Sequence, residues 1–482
     1  MALVLVKRMQ LTSFKFKSNA HQALHDETLQ QALKHIKSGF VKKRARAIRE
    51  LPEFNDIRDY AVTLKNHTLE HLDFYLERFE QQVQQAGGEV HWARNAEEAR
   101  QHAIQICQSV NARLITKGKS MLTEEIGLNE ALEKSGFTVT ETDLGEYIIQ
   151  QRHEAPSHIV APAIHLVKEQ IAATFYKDHK NLDPNRSLQQ HEELLQEARE
   201  TLRQQFLSAD VGITGANFLI AESGTTAIVT NEGNGDLTQI LPKIHIVFAS
   251  IEKIIPTFED AAQILRLLAR SATGQETTTY VTFSTGPKRT DDLDGPQQFH
   301  VILVDNGRSR MLGSEFQDML RCIRCGACLN HCPVYDAIGG QAYGSMYPGP
   351  MGAVITPSLF GIKESKDLPN ASTFCGRCQA VCPMRIPLPD MMRHYREQEF
   401  QQHLSAAGSR LGLKYWAYLA KRPKLYHKIT GLMMKVLHRL GKRTGRFHYL
   451  PMATAWTKYR DFPAPAAKTF HQLWAEQKKS KQ

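Results

Sequence analysis

The sequence predicts an α/β domain, mainly a parallel sheet with flanking helices, followed by a cysteine-bearing α-helical segment and a basic helical C-terminal region. Three observations carry that prediction. Strand-like and helix-like segments alternate from about residue 60 to 308, the pattern of parallel strands joined by crossover helices. Seven of the eight cysteines fall in two tight runs between positions 322 and 382. Residues 401–482 hold 17 Lys and Arg against only Asp461 and Glu476, a local net of +15, so in a chain of net +10 the remainder carries −5.

Residues 1–60 are polar and helical in pattern, with basic stretches such as VKKRARAIRE. NHTLEHLDFYLERFEQQVQQAGG predicts a long amphipathic helix that stops at paired glycines. EVHWA then reads as a strand, 95–110 as a helix and ARLITKG as a strand. TEEIGLNEALEKSG predicts a helix ending at Gly136, and FTVTETD a strand. A helix over 191–207 follows, then short strands within ANFLIAESGTTAIVTNEGNGD and further strands in KIHIVFAS, TTTYVTFST and QQFHVILVDNG. These elements assign an α/β domain to 61–308. The cysteine region spans 309–400, its two runs separated by the glycine- and proline-rich GGQAYGSMYPGPMGAVITPSLFG. Helical text returns at PDMMRHYREQEFQQHL, and 401–482 reads as basic amphipathic helices.

At 482 residues the chain is long enough for two or three domains, and its 42% hydrophobic and 23% charged content is that of an ordinary globular protein. No apolar run approaches the ~20 residues that span a bilayer. The opening MALVLVKRMQ has too short an apolar stretch before Lys7 and Arg8 to be a secretory signal. With clustered thiols, these features predict a cytoplasmic protein. A basic tail on a mildly acidic body suits an acidic partner, an anionic membrane surface or nucleic acid, or serves only as a solubilising element.

The first cysteine run, CIRCGACLNHCP, places Cys322, Cys325, Cys328 and Cys332 before Pro333 in the Cys-x2-Cys-x2-Cys-x3-Cys-Pro spacing of bacterial ferredoxins, whose fourth cysteine serves the other cluster. The second, CGRCQAVCP, places Cys375, Cys378 and Cys382 before Pro383. By that logic cluster one takes Cys322, Cys325, Cys328 and Cys382, and cluster two takes Cys332, Cys375 and Cys378. A full second motif would have a cysteine where Ser372 stands, so cluster two is one thiolate short. It is either a three-iron cluster or a four-iron cluster whose last iron is held by Ser372, water or another side chain. Ser372 itself reads first as a cap or turn residue, as serine before a turn usually is. Zinc ribbons need two pairs of ligands rather than four plus three, and disulfide scaffolds are small and secreted. Cys107, alone on a helix, reads as an inert core thiol. His331 reads as an exposed loop histidine, or as a hydrogen-bonding neighbour of the clusters. Gly326 and Gly376 either bring backbone N–H groups up to cluster sulfurs or simply supply tight turns.

A substrate site is less plainly written. No Gly-x-Gly-x-x-Gly lies at a strand-to-helix turn, so a dinucleotide site of that kind is unsupported. Lys117, Lys119 and Ser120, after a strand and before a helix N-terminus, and the turn Glu222, Ser223, Gly224 and Thr225 are candidate anion-binding loops, though turns at strand ends are commonly structural. Glu141, Asp143 and Glu146 form an acidic cluster that a solvated loop explains as well. No residue stands out as a catalytic base.

The two cysteine runs, together with KGKSMLTEEIGLNEALEKSGFTVTETDLGEYIIQ, GITGANFLIAESGTTAIVTNEGNGDL, VDNGRSRML, GGQAYGSMYPGPMG and WTKYRDFPAPAAKTFHQLW, resemble the iron–sulfur B subunits of the bacterial L-lactate utilisation system over about 60–475. The resemblance implies an α/β lactate-utilisation domain joined to a two-cluster ferredoxin-type domain. It further implies two [4Fe–4S] clusters held by seven cysteines, which favours a four-iron cluster two. The expected role is an electron-transfer component of an oxidoreductase complex that turns L-lactate into pyruvate and allows growth on it. The expected partners are a cysteine-rich iron–sulfur subunit and a smaller subunit built from the same α/β domain. Alternatives are the same role for another 2-hydroxy acid such as glycolate, or a non-catalytic iron–sulfur protein that binds nucleic acid. Tyr415, Trp416 and Tyr418 sit at apolar helical spacing, which suits a packing face better than a base-stacking platform, so no nucleic acid is expected.

Overall fold

A computed structural model describes residues 11–451 and 453–480, except for the side chains at 35–38 and 455. The segment read for a secretory signal lies outside the described residues. Two compact units emerge, one up to Glu399 and one from Phe400 onward.

The first unit is built on a six-stranded sheet. Its strands are β1 (Glu89–Ala93), β2 (Leu114–Gly118), β3 (Thr138–Glu141), β4 (Val211–Gly215), β7 (Ile244–Ser250) and β10 (Gln298–Val304), in the order β1-β10-β7-β4-β2-β3. Every pairing in it is parallel, as the alternating sequence pattern predicts. A second sheet joins β5 (Phe218–Ile220), β6 (Thr225–Thr230), β8 (Ile254–Ile255) and β9 (Tyr280–Ser284) in the order β8-β5-β6-β9. Both faces of the large sheet are covered, which explains why β4 and β7 are apolar without alternation. On one face the helices Ala96–Ser109 and Leu128–Lys134 set Ala103, Ile106 and Leu132 against Ile115, Val139 and Ile246. On the other the helix Leu72–Gln85 sets Leu76, Phe79 and Val83 against Val247, Val301 and Leu303.

Several elements differ from the sequence expectation. The single long helix is two, Phe54–Glu70 and Leu72–Gln85, because its halves face different cores. Ile57, Ala61 and Leu64 join the core that holds the cysteine region, whereas Leu72 onward packs on the sheet. The helix expected up to Gly136 is broken at Gly127, whose φ of +64° suits glycine. The helices Leu144–Arg152 and Lys168–Asp178 and the strand β4 lie in text that had suggested no element. The glycine- and proline-rich insertion contains the buried helix Gly349–Phe360.

The second unit is helical and basic. Its helices Ala407–Ala420 and Phe470–Ser480 bury no residue, and Pro423–Gly441 buries only Gly431 and Gly441. The aromatic positions read as a packing face are open: Tyr415, Trp416 and Tyr418 are 62%, 59% and 51% exposed. No helix among the described residues is long and apolar enough to cross a membrane.

Candidate metal centre

Backbone geometry at each cysteine run follows from one glycine. Gly326, at φ +73°, turns the first run into the short helix Ala327–Asn330, and Gly376, at φ +76°, starts Arg377–Val381 in the same way. At Gly326 a side chain would also meet His158 at 3.2 Å, so both conformation and space demand glycine there. These turns bring Cys322, Cys325, Cys328 and Cys382 onto one small cavity, floored by Met351 and Met384. The remaining three thiols neighbour one another. Cys378 is pushed up to about 12 by burial and then by the Cys332 thiolate, and Cys332 is raised by burial and further by Cys375.

Within the first group burial pushes Cys325 up to about 12 and Cys382 to about 11, and each also feels Cys322. Cys328 is raised further, first by burial and then by Cys325, Cys322 and Cys382. Cys375 is the exposed exception, and the N–H of Arg377 lowers it. Crowded buried thiols of this kind resist ionisation alone and become thiolates when they share a cation, so the donor set fits a metal cluster. Cys107 lies apart, fully buried in the sheet core, with burial pushing it up to about 12. Ser372 behaves as a turn residue, its Oγ accepting the Phe374 N–H at 3.1 Å. His331 is half-buried rather than exposed, and a ring nitrogen lies 2.9 Å from the Ala327 carbonyl.

Three residues around the cysteines carry no motif in the sequence. Among the described residues the buried Tyr343 hydroxyl finds no nitrogen or oxygen acceptor, and after burial the Cys332 thiolate is the largest influence raising it. A buried hydroxyl without a partner is costly, and a cluster sulfur would supply the missing acceptor. Arg44 Nη2 donates to the Val381 carbonyl at 2.7 Å, and Arg58 Nη2 to that of Cys382 at 2.6 Å. Burial lowers both guanidiniums, Arg44 to about 10, yet the Cys382 thiolate favours their charge. Only the basic character of VKKRARAIRE hinted at Arg44.

A buried ionic network fastens the first cysteine run to the α/β sheet. Arg308, just after β10, grips Glu125 through Nη1 and Nη2 at 2.9 and 2.7 Å, and its Nε lies 3.0 Å from Glu252. Tyr347 and Asn306 donate to Glu125 at 2.6 and 2.7 Å. Arg324, between Cys322 and Cys325, lies 3.3 Å from Glu252 and 4.5 Å over the Tyr347 ring. The guanidiniums outweigh burial and hold Glu252 down at about 2.

The candidate anion loops part company. Lys117 is fully buried and bound to Glu141 at 2.7 Å, Glu124 at 2.9 Å and the Thr123 hydroxyl at 2.9 Å, so it offers no free charge to a ligand. Its partner Glu141 and the neighbouring Glu146 are themselves buried and raised by that burial, so the acidic cluster is no solvated loop. The helix after Ser120 has five residues, and Ser120 Oγ already accepts the Thr123 N–H. The Glu222 turn is structural: Glu222 accepts the Phe258 N–H at 2.8 Å, Ser223 donates to Thr225, and Gly224 packs on the Val83 backbone. Lys119 and Ser120 instead line a crevice at the carboxyl ends of β2 and β4, which also reaches Cys325.

Comparison with known proteins completes the picture. Residues 76–304 match the LUD domain, 318–386 a 4Fe-4S dicluster domain, and 387–479 the C-terminal domain of lactate utilisation protein B. Lactate utilization protein B of Shouchella clausii (strain KSM-K16) is 43% identical over 98% of each chain. The proteins of that name from Oceanobacillus iheyensis and Bacillus subtilis (strain 168) are 42% and 41% identical, also over 98% of each chain. A solved DUF162 family protein from Deinococcus radiodurans covers 48% of this chain and 98% of its own at 15% identity and a TM-score of 0.26, too loose a likeness to bear on the fold. An α/β LUD domain, an iron–sulfur-binding cysteine region and a matching C-terminal domain, conjoined over nearly full length, make this chain a member of the lactate utilisation protein B family.

Proposed function

We propose that the protein is the iron–sulfur electron-transfer subunit of a complex that oxidises L-lactate to pyruvate. Cluster one is a [4Fe–4S] centre on Cys322, Cys325, Cys328 and Cys382, and cluster two a [4Fe–4S] centre with three cysteine ligands, Cys332, Cys375 and Cys378. The observation that carries this reading is the gathering of four thiols on one cavity with three more beside it. Such clusters accept and pass electrons one at a time. The chain's own residues bury the sulfurs, hold the second run by its carbonyls through Arg44 and Arg58, and set a hydroxyl donor, Tyr343, beside Cys332. The named relatives and the matched C-terminal domain support lactate as the substrate class.

Its partners are the cysteine-rich iron–sulfur subunit and the smaller LUD-type subunit of the same system. The second unit, with a local net of +15 and exposed Trp416 and Leu411, is the surface offered to them or to an anionic membrane.

Anaerobic purification should give a brown protein with about eight irons per chain, and Cys375→Ser should remove up to about half of them. A colourless, zinc-loaded product overturns the cluster assignment. Normal growth on L-lactate after gene deletion overturns the lactate role, and assays of the complex with L-lactate and glycolate separate the two acids.

A further inference from the structure

We propose that the crevice at the carboxyl ends of β2 and β4 is a binding site for a small 2-hydroxy or 2-oxo carboxylate, placed against the Cys325 side of cluster one. The proposal rests on the function given above and names where that substrate class binds. It claims binding alone, with no bond made or broken.

Topology is the first argument. From β2 the chain passes to β3 on one side of β2 and then returns to β4 on the other. The strand order reverses between β2 and β4, and in open parallel sheets ligands bind outside the carboxyl ends at such a reversal. The crevice lies there, with Lys119 and Ser120 following β2, and Lys253 following β7.

Charge is the second. Three cations, Lys119, Lys253 and Arg324, line the crevice, Lys119 also facing Asp143 at 3.8 Å, and Glu146 is the only carboxyl in its lining among the described residues. Among the described residues Arg324 has a single ionic partner, Glu252 through Nη2, whereas its Nε and Nη1 are buried without a hydrogen-bond partner. Glu146 is 5% exposed, and its Oε2 is likewise unpartnered. The open Nη1 can donate to one carboxylate oxygen, with the guanidinium charge strengthening the bond. A protonated Glu146, raised by burial and by its acidic neighbours, can donate to a hydroxyl or keto oxygen.

Size is the third. The crevice encloses about 140 Å³, well below the roughly 300–1,000 Å³ of pockets that take drug-sized ligands, so it suits a small acid and not a nucleotide or flavin. Cys325 lines both the crevice and the cavity of the first cysteine group, so a bound acid would share that side chain with the cluster site.

The test uses the cluster-loaded full chain, titrated anaerobically by calorimetry with L-lactate, pyruvate, inorganic phosphate and AMP, with the paramagnetic spectrum of the reduced clusters followed in parallel. The expected result is saturable binding of L-lactate or pyruvate, a change in the spectrum of one cluster only, and binding weakened about tenfold or more in Lys119→Met and Lys253→Met at unchanged iron content. If Lys253→Met loses iron, Lys119→Met decides, since the Lys119 side chain is partly exposed. No saturable binding of either acid, equal binding by wild type and Lys119→Met, or tighter binding of phosphate or AMP overturns the proposal. A chain that supports growth on L-lactate yet binds no acid refutes the crevice alone. A chain that binds the acid but is dispensable for that growth refutes the proposed function alone.

Discussion

Lys117 shows what a single residue owes to its neighbours across a sheet. By sequence it belongs with Lys119 and Ser120, but the parallel register sets it opposite Glu141, and the pair neutralises itself in the interior. Lys117→Met strands the buried Glu141 and the half-buried Glu124, and a loss of about 3–5 kcal/mol in chemical denaturation is expected. Glu146 makes the opposite case. Its folded pKa is raised, so its contribution to stability is complete below the ordinary carboxyl value and is lost as pH rises through the raised one. Glu146→Gln should therefore flatten the alkaline-side decline in melting temperature, and an unchanged slope would contradict the assignment. Tyr343→Phe removes the unpartnered hydroxyl. With about 0.5–1.5 kcal/mol for a hydrogen bond and 59 mV per tenfold change for one electron, it should lower cluster two's potential by roughly 20–60 mV in a redox titration and leave cluster one alone. The cysteines were legible because their spacing along the chain is itself the geometry of the site. Tyr343, Arg44 and Arg58 were not, because they reach the cysteine runs through tertiary packing that no local pattern encodes.

Among elements, the alternating strands and crossovers were readable because each strand carries its own apolar run and each helix its own stripe. β4 was missed because VGITG is short and glycine-containing, and only burial on both faces makes it a strand. The insertion was read by its glycines and prolines, which usually interrupt helices. Here they serve close packing. A side chain at Gly340 would run into the Ser157 carbonyl at 1.6 Å, and Tyr335, nearby in sequence, donates to that same carbonyl at 2.7 Å. Gly340→Ala should destabilise the first unit by about 1–3 kcal/mol, measurable as an earlier denaturation midpoint and faster bleaching of the brown colour.

At the scale of the whole molecule, the basic tail forms a unit of its own and offers its apolar side chains to water. Truncation after residue 400 should leave the clusters' absorbance intact while partner subunits or anionic vesicles are no longer retained in pull-down. Unchanged retention would reduce the tail to a solubilising element. The crossing of Arg44 and Arg58 to carbonyls 337 and 324 residues further along has a different reach. A ribosome must deliver nearly the entire first unit before either guanidinium finds its acceptor, so the earliest helices emerge long before their docking ground exists. Cys382, the last of the seven clustered cysteines, emerges at that same point, so a polypeptide that stops short of it would lack both a thiol of the first group and the carbonyl that Arg58 grips.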